Sequence, residues 1–215
     1  MSEREIYALD VSSLILNRLS LYLRCLRALQ EEGIHRVSSQ QLADQFQLSA
    51  PLIRKDFAQF GEFGIRGTGY DIGHLIERLQ SALGLDQQHP LLVVGMGRLG
   101  TALARYLGFN DATFRVVAVL DNDPAKVGQE VGDLTIRHTE EIEEIVRELG
   151  VEIGVLTVPA DAAQAVYDGL VDAGVQAVLN FAPVRLQLRP GLPSKSVDFR
   201  THLEELAYLL LSKEG

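Results

Sequence analysis

Apolar residues recur through the start of the chain with the three- and four-residue spacing of a helix face. Val11, Leu14, Ile15, Leu19, Tyr22, Leu23, Leu26 and Leu29 keep that spacing over five turns, and Gly33 stops it. Ser38-Ser39-Gln40-Gln41 sets a serine three residues ahead of a glutamine, the pattern of a capping box. A short helix is therefore expected next, with Leu42, Ala43 and Phe46 inward. Gln47-Leu48 reads as a tight turn. Ser49-Ala50-Pro51 then supplies a cap and a first-turn proline for another helix, closed at Phe60-Gly61. On that helix Ile53, Phe57 and Phe60 share one face, Pro51, Lys55 and Ala58 fall opposite, and Arg54 lies on the flank.

The pattern changes after Ser81 to Pro90, a stretch of turn formers that reads as a domain boundary. Continuous apolar runs at 91–94, 115–120, 152–158 and 176–180 read as buried strands, with helical patterns at 98–108, 139–149 and 161–173 between them. Strands alternating with helices imply parallel pairing and right-handed crossovers. Asp133 to Arg137 adds a short strand without an assigned place. Near the end, Leu203 is followed by an unbroken apolar run from Leu206 to Leu211, which covers the whole circumference of a helix. Such a helix is buried on more than one face, either within its own chain or in a second subunit.

Composition narrows the class. With 23% charged and 47% hydrophobic residues, the 215-residue chain has the make-up of a soluble globular protein. No apolar run approaches the roughly 20 residues of a membrane span, and Met1-Ser2-Glu3-Arg4-Glu5 lacks the features of a secretory signal, so a cytoplasmic protein with no membrane partner is expected. A single cysteine, Cys25, excludes a disulfide framework and a multi-thiolate metal site, and reads as a small core or interface filler. The net charge of −9 argues against nucleic acid until it is divided. Residues 1–85 hold nine Lys/Arg and ten Asp/Glu (−1), whereas residues 86–215 hold eleven and nineteen (−8). A near-neutral first part can still present a basic face, because phosphate attraction depends on local charge.

The strongest chemical signal is the run Pro90 to Gly100. An apolar strand enters Gly95-Met96-Gly97-Arg98-Leu99-Gly100, a helical pattern follows, and a second strand ends in Asp121, 21 residues beyond Gly100. A dinucleotide needs that order: glycines for the turn, for pyrophosphate approach and for helix packing, then a carboxylate for the adenosine ribose. With Asn122 and Asp123 next to Asp121 and no arginine nearby, NAD(H) is favoured over NADP(H). Arg98 either pairs with the pyrophosphate or is a solvated helix-start residue. Thr157-Val158-Pro159 and Asn180-Phe181-Ala182-Pro183 follow strands, so both fall at the carboxyl edge beside the glycine loop and are expected to line the site.

An oxidoreductase would also need a proton donor near the nicotinamide. His35, His74, His89, His138 and His202 are scattered, none with a partner at motif spacing, and Tyr106 has no lysine at helical spacing. No catalytic residue is assigned. A CoA-binding module is the other rival, and Asp121 opposes it because CoA carries a 3′-phosphate on that ribose.

In the first part, Arg54 and Lys55 sit on the exposed half of a helix that follows a tight turn, where base edges and phosphates would be met. Ser49 and Pro51 begin the same helix. After it, Phe60 to Tyr70 holds four glycines and one arginine, Arg66 beside Gly67, in the pattern of a wing that meets a minor groove. An ordinary three-helix bundle with a solvated Arg-Lys pair is the alternative.

Leu52-Ile53-Arg54-Lys55-Asp56-Phe57, Phe60-Gly61-Glu62-Phe63-Gly64, Arg66-Gly67-Thr68-Gly69-Tyr70, Val93 to Gly100 and Asn180 to Val184 together resemble the Rex family of redox-sensing transcriptional repressors, in the family's order and spacing from about residue 12 onward. The resemblance implies an α/β chain: a winged helix-turn-helix domain at 1–80, a linker at 81–90, a Rossmann-like parallel-sheet domain at 91–198 and a swapped dimerisation helix at 199–215. It further implies a homodimer that binds an inverted-repeat operator when NADH is scarce and releases it on binding NADH, with NAD+ competing for the site. Arg24, Tyr106 and Asp198 match the family's switch network. Phe199 matches an aromatic that reaches the partner's nicotinamide pocket.

Overall fold

A computed structural model describes residues 13–59, 69–107 and 113–211. The chain divides between Gln87 and Gln88 into two compact units. In the first unit, α1 (Ser13–Glu31) is followed by β1 (Arg36–Val37), α2 (Ser39–Phe46), α3 (Ala50–Ala58), β2 (Tyr70–Asp71) and α4 (Ile72–Ala82). Local chemistry sets the boundaries. Ser38 and Gln41 form the reciprocal capping box at the start of α2, and Gln47 ends that helix in the left-handed region at φ 54°. The Ser49 hydroxyl accepts from Leu52 N to start α3.

Leu19, Tyr22, Leu26, Leu42, Ile53 and Phe57 close one core, joined by Ile72, Leu75 and Leu79 of α4. The helix α4 was not anticipated, although Asp71 caps it through His74 N and its apolar spacing is regular. The antiparallel pair β1–β2 was also missed, since two-residue strands carry no periodicity. Leu14 faces solvent rather than the core. Val11 and Phe60-Gly61 lie outside the described residues.

The inward face of α3 carries a charge. Asp56 is buried and receives two 2.7 Å hydrogen bonds from the Arg18 guanidinium and one of 2.9 Å from the Tyr22 hydroxyl. Burial, then the bond to Asp56, pushes the Tyr22 hydroxyl well above the usual phenol range. The same carboxylate raises Arg18.

The second unit comprises β3 (His89–Val94), α5 (Arg98–Leu107), β4 (Phe114–Asp121), β5 (Glu130–Val131), β6 (Leu134–His138), α6 (Ile142–Leu149), β7 (Ile153–Leu156), α7 (Ala160–Asp172), β8 (Ala177–Asn180), β9 (Ser194–Ser196) and α8 (Phe199–Leu211). The sheet order is β5-β6-β4-β3-β7-β8-β9, parallel except for the β5–β6 pair. The strand expected near 133–137 is β6, which lies beside β4. The short β9 was unanticipated because Ser194-Lys195-Ser196 has no apolar signal. Continuous apolar strands reflect two covered faces: Leu92, Val94 and Leu120 pack in one cluster, Leu91, Val93 and Val119 in the other.

The pair of buried Asp56 with part-exposed Arg18 gives the first expectation. Asp56→Ala leaves the buried Tyr22 hydroxyl without its acceptor and releases Arg18 to solvent, and should cost about 1–3 kcal/mol, the range for leaving a buried polar group unsatisfied. Urea unfolding of wild type and variant measures it, and a loss below about 1 kcal/mol, typical of surface pairs, would contradict the burial argument.

Candidate functional site

The sheet winds outward from β3 in both directions, through β4 and β6 on one side and β7 and β8 on the other. The carboxyl ends of β3 and β7 thus form the topological switch point, where an open α/β sheet offers a crevice. The glycine loop occupies it. Gly95 adopts φ +97° and donates its N–H to Leu120 O at 2.8 Å. A Cβ at Gly95 would lie 2.8 Å from the Thr157 backbone and from Val158 Cγ1. At Gly100 a Cβ would overlap the carbonyl oxygen of Gly95, so helix α5 can approach the loop only as glycine. Gly97 differs, since a Cβ there would meet nothing within 4 Å. Two glycines serve packing and the middle one faces open space beside the start of α5, as a pyrophosphate cradle requires. Met96 is buried, while Arg98 and Leu99 are exposed in the first turn of the helix.

Thr157 holds this loop from the far side. Its hydroxyl lies 2.6 Å from Gly95 O and 3.0 Å from Val94 O, so its one proton is committed to the loop backbone. Val158 packs half-buried against Gly95, and Pro159 is exposed just before α7. Asn180 is likewise occupied. Its Oδ1 accepts from Ala182 N at 2.8 Å, and its Nδ2 lies 3.3 Å from Ala182 O, Val184 O and Ser196 Oγ. It shapes the Phe181-Ala182-Pro183 turn rather than offering a free amide. Ala182 is buried and Pro183 exposed, and the Phe181 ring lies 6.4 Å from that of Phe199.

Asp121 ends β4 almost wholly buried. Its Oδ2 accepts from Met96 N at 2.7 Å and from Lys126 Nζ at 2.9 Å, and its Oδ1 accepts from Asp123 N at 2.9 Å. Burial alone would raise its pKa. The Asp123 N–H, Lys126 and the Met96 N–H outweigh that and hold the carboxyl below its ordinary value. The carboxylate thereby ties the glycine loop to the end of β4. Lys126 was not anticipated, although Asp121 and Lys126 stand five residues apart across a turn that Pro124 begins.

In the first unit, Pro51, Arg54, Lys55 and Ala58 are exposed on the face of α3 opposite Ile53 and Phe57. Arg54 Nη1 donates to Ser39 Oγ at 3.0 Å, which aims the guanidinium toward the start of α2. Arg66 and Gly67 lie outside the described residues. Gly69, just before β2, has φ +76°, and a Cβ there would approach Val37 O to 2.9 Å.

Arg24 is exposed on α1. Tyr106 is 80% exposed on α5. Asp198 accepts from Arg200 N at 2.9 Å and from the Thr201 hydroxyl at 3.2 Å, which makes it the cap of α8. The apolar run Leu206 to Leu211 and Leu203 before it are exposed on α8. Cys25 is buried as expected and lies 2.9 Å from Gln45 Oε1. No group of three His, Cys, Asp or Glu among the described residues could hold a metal, and no described helix is long and apolar enough to cross a membrane.

Residues 86–184 match the family described as CoA binding domain, and residues 10–58 match the family described as putative DNA-binding protein N-terminus. The redox-sensing transcriptional repressor Rex of Chloroflexus aggregans is 44% identical over 200 residues, 93% of this chain and 94% of its own. That of Pelotomaculum thermopropionicum is 42% identical over 97% of this chain and 98% of its own. Among solved structures, RSP in complex with β-NAD+ and operator DNA superposes with a TM-score of 0.91 at 32% identity, covering 95% of this chain and 94% of that one. RSP in complex with β-NADH gives 0.85 at 31% identity, over 95% of this chain and 96% of that one.

Two consequences of the loop can be measured. Gly100→Ala should lower stability by about 1–3 kcal/mol, the range for overpacking, whereas Gly97→Ala should leave thermal unfolding unchanged and still weaken nucleotide binding. Equal melting temperatures for the two variants would refute the distinction. The second concerns acid. Because the folded pKa of Asp121 is depressed, its stabilisation is complete above the ordinary carboxylate range near pH ~4. It drains as pH falls through the lower folded value. Denaturant unfolding between pH 6 and about pH 2.5 should therefore show a shallower acid limb for Asp121→Asn than for wild type.

Proposed function

This chain belongs to the Rex family of redox-sensing transcriptional repressors, and we propose that it reads the cellular NADH/NAD+ ratio through its second unit and acts on operator DNA through its first. It is a regulator rather than an enzyme. The observation that carries this reading is the pairing in one chain of an exposed cationic face on α3 with a glycine loop whose middle glycine faces open space. The pyrophosphate of NADH or NAD+ fits against Gly97 to Gly100 at the start of α5, with Arg98 as its cation. Asp121 takes the adenosine ribose. Val158, Pro159 and the Phe181-Ala182-Pro183 turn line the rest of the edge, with Thr157 and Asn180 fixing the backbone that does the lining.

On the DNA side, Arg54 and Lys55 meet phosphates and base edges in a major groove, with Ser49 and Pro51 at the entering end of α3. Arg66 and Gly67 serve the adjacent minor groove. The repressor works as a homodimer on an inverted-repeat operator, in the cytoplasm. Leu203, Leu206, Leu209 and Leu210 stand exposed on α8, and each leucine covered by a second copy contributes about 1.5–3 kcal/mol. That supports a swapped helix. Arg24, Tyr106 and Asp198, all on the surface of a single chain, are the side chains through which the two dimer states differ, and Phe199 beside Phe181 extends toward the partner's pocket. DNA is released when NADH fills the site, because NADH and operator favour different dimer states.

An operator titration across NADH/NAD+ ratios tests the whole reading. Tight, salt-sensitive binding is expected with NAD+ or no nucleotide, and release as NADH rises. Arg54→Ala and Lys55→Ala should each weaken binding and reduce the salt slope by about one. Absence of binding to any inverted repeat under either condition would end the proposal.

A further inference from the structure

The acceptor count at Asp121 does not match the ribose contact usually drawn for such a carboxylate, and the difference implicates Lys126. Two carboxylate oxygens offer about four acceptor sites. Oδ2 already receives Met96 N and Lys126 Nζ, and Oδ1 receives Asp123 N, so among the described residues a single site on Oδ1 is left. A ribose diol brings two hydroxyl groups. The Met96 bond holds the glycine loop and the Asp123 bond holds the turn after β4, so neither yields without moving the backbone.

Lys126 is the adaptable member. Its ammonium has three donors, of which Asp121 uses one, and its side chain is 36% exposed at the rim of the site. Asp123 Oδ2 stands 3.9 Å from the same nitrogen, near enough for attraction but beyond a hydrogen bond.

We propose that Lys126 is a specificity-determining residue of the nucleotide site, sharing the adenosine ribose with Asp121. One ribose hydroxyl donates to Asp121 Oδ1 and the other accepts from Lys126 Nζ. This deepens the nucleotide assignment made above and rests on it. The arrangement also explains how a lysine can stand in this site without inviting a 2′-phosphate. With Asp121 and Asp123 both beside it, the ammonium is outnumbered, and an added phosphate of about −1.5 to −2 charge meets a net negative edge. Selection against NADP(H) therefore depends on the Asp121 charge holding Lys126. When that charge is removed, the freed ammonium becomes a phosphate receptor in the same place.

The test is a set of binding titrations with NADH and NADPH on the full-length protein and three variants, each checked for folding by thermal melting. Wild type should bind NADH and discriminate against NADPH. Lys126→Met should lower NADH affinity about tenfold, the loss of one charge-assisted hydrogen bond. Asp121→Asn should gain NADPH affinity, and adding Lys126→Met to it should abolish the gain. Unchanged NADH affinity in Lys126→Met overturns the role of Lys126 at the ribose. An NADPH gain that survives in the double variant overturns its role as the latent phosphate receptor. If Asp121→Asn does not fold, the Lys126→Met titration, made at the rim of the site, decides alone. A folded wild-type protein that binds neither NADH nor NAD+ instead overturns the nucleotide assignment, and this inference falls with it.

Discussion

The second unit is organised around one close approach, that of the Gly100 backbone to the carbonyl of Gly95. Nothing larger than hydrogen fits between them, and that lets α5 start directly against the ends of β3 and β7. The position is fixed from two further sides. The Thr157 hydroxyl holds Gly95 O from β7, and the Asp121 carboxylate holds Met96 N from β4. Three neighbouring strands thus converge on six residues of loop. The start of α5 is aimed at the crevice without any contribution from a ligand. Preorganisation of this kind lowers the ordering cost of binding. It also explains why two of the glycines are used for packing and only Gly97 is open toward the place a pyrophosphate would take.

The first unit relies on a different device. The helix that presents Arg54 and Lys55 is held to α1 by Asp56, whose carboxylate meets the Arg18 guanidinium through two nitrogens and the Tyr22 hydroxyl as well. A partly buried pair of this sort is weak evidence of stability, because desolvation offsets much of the attraction. Its value lies in geometry. A two-pronged bond fixes the rotation of α3 about its own axis in a way that the Ile53 and Phe57 contacts alone do not. Rotation decides which side chains face outward, so the Arg18–Asp56 pair controls the direction in which Arg54 and Lys55 point. Arg24 lies on the same helix as Arg18, less than two turns further on. A displacement of α1 at Arg24 is therefore transmitted to the helix that presents Arg54 and Lys55.

Much of this was legible in the sequence because the signals were local. The capping box at Ser38 and Gln41, the tight turn at Gln47-Leu48 and the Ser49 cap all depend on residues within a few positions of each other. The spacing from Gly100 to Asp121 set the end of β4 beside the glycine loop for the same reason, since a strand–helix–strand unit fixes how far apart its parts can be. Features that depend on distant partners were not legible. Asp56 reads as one more charge after Arg54-Lys55 until its partners, 34 and 38 residues away, are placed beside it. Thr157 and Asn180 were rightly set at the carboxyl edge, but which of their atoms remain free depends on backbone carbonyls and amides that no sequence pattern reports. The short strands β1, β2 and β9 are made by their neighbours, and their own residues carry no periodicity to betray them.

The exposed groups of the single chain then follow a common logic. Tyr106, Phe199 and the leucines of α8 are large apolar side chains left at the surface, and Arg24 and Asp198 are exposed as well. A chain that functioned alone would gain by burying the apolar ones or replacing them. A chain whose two dimer states must differ by only a few kcal/mol needs contacts that one state makes and the other does not. Such contacts have to come from side chains that the fold of the monomer does not consume. The two preorganised centres, the glycine loop and the Arg18–Asp56 clamp, take their partners from within their own units. In the dimer proposed above, the adjustable part of the energy therefore lies between subunits. On that proposal a signal at the nucleotide edge reaches DNA through the surfaces that each chain leaves uncovered.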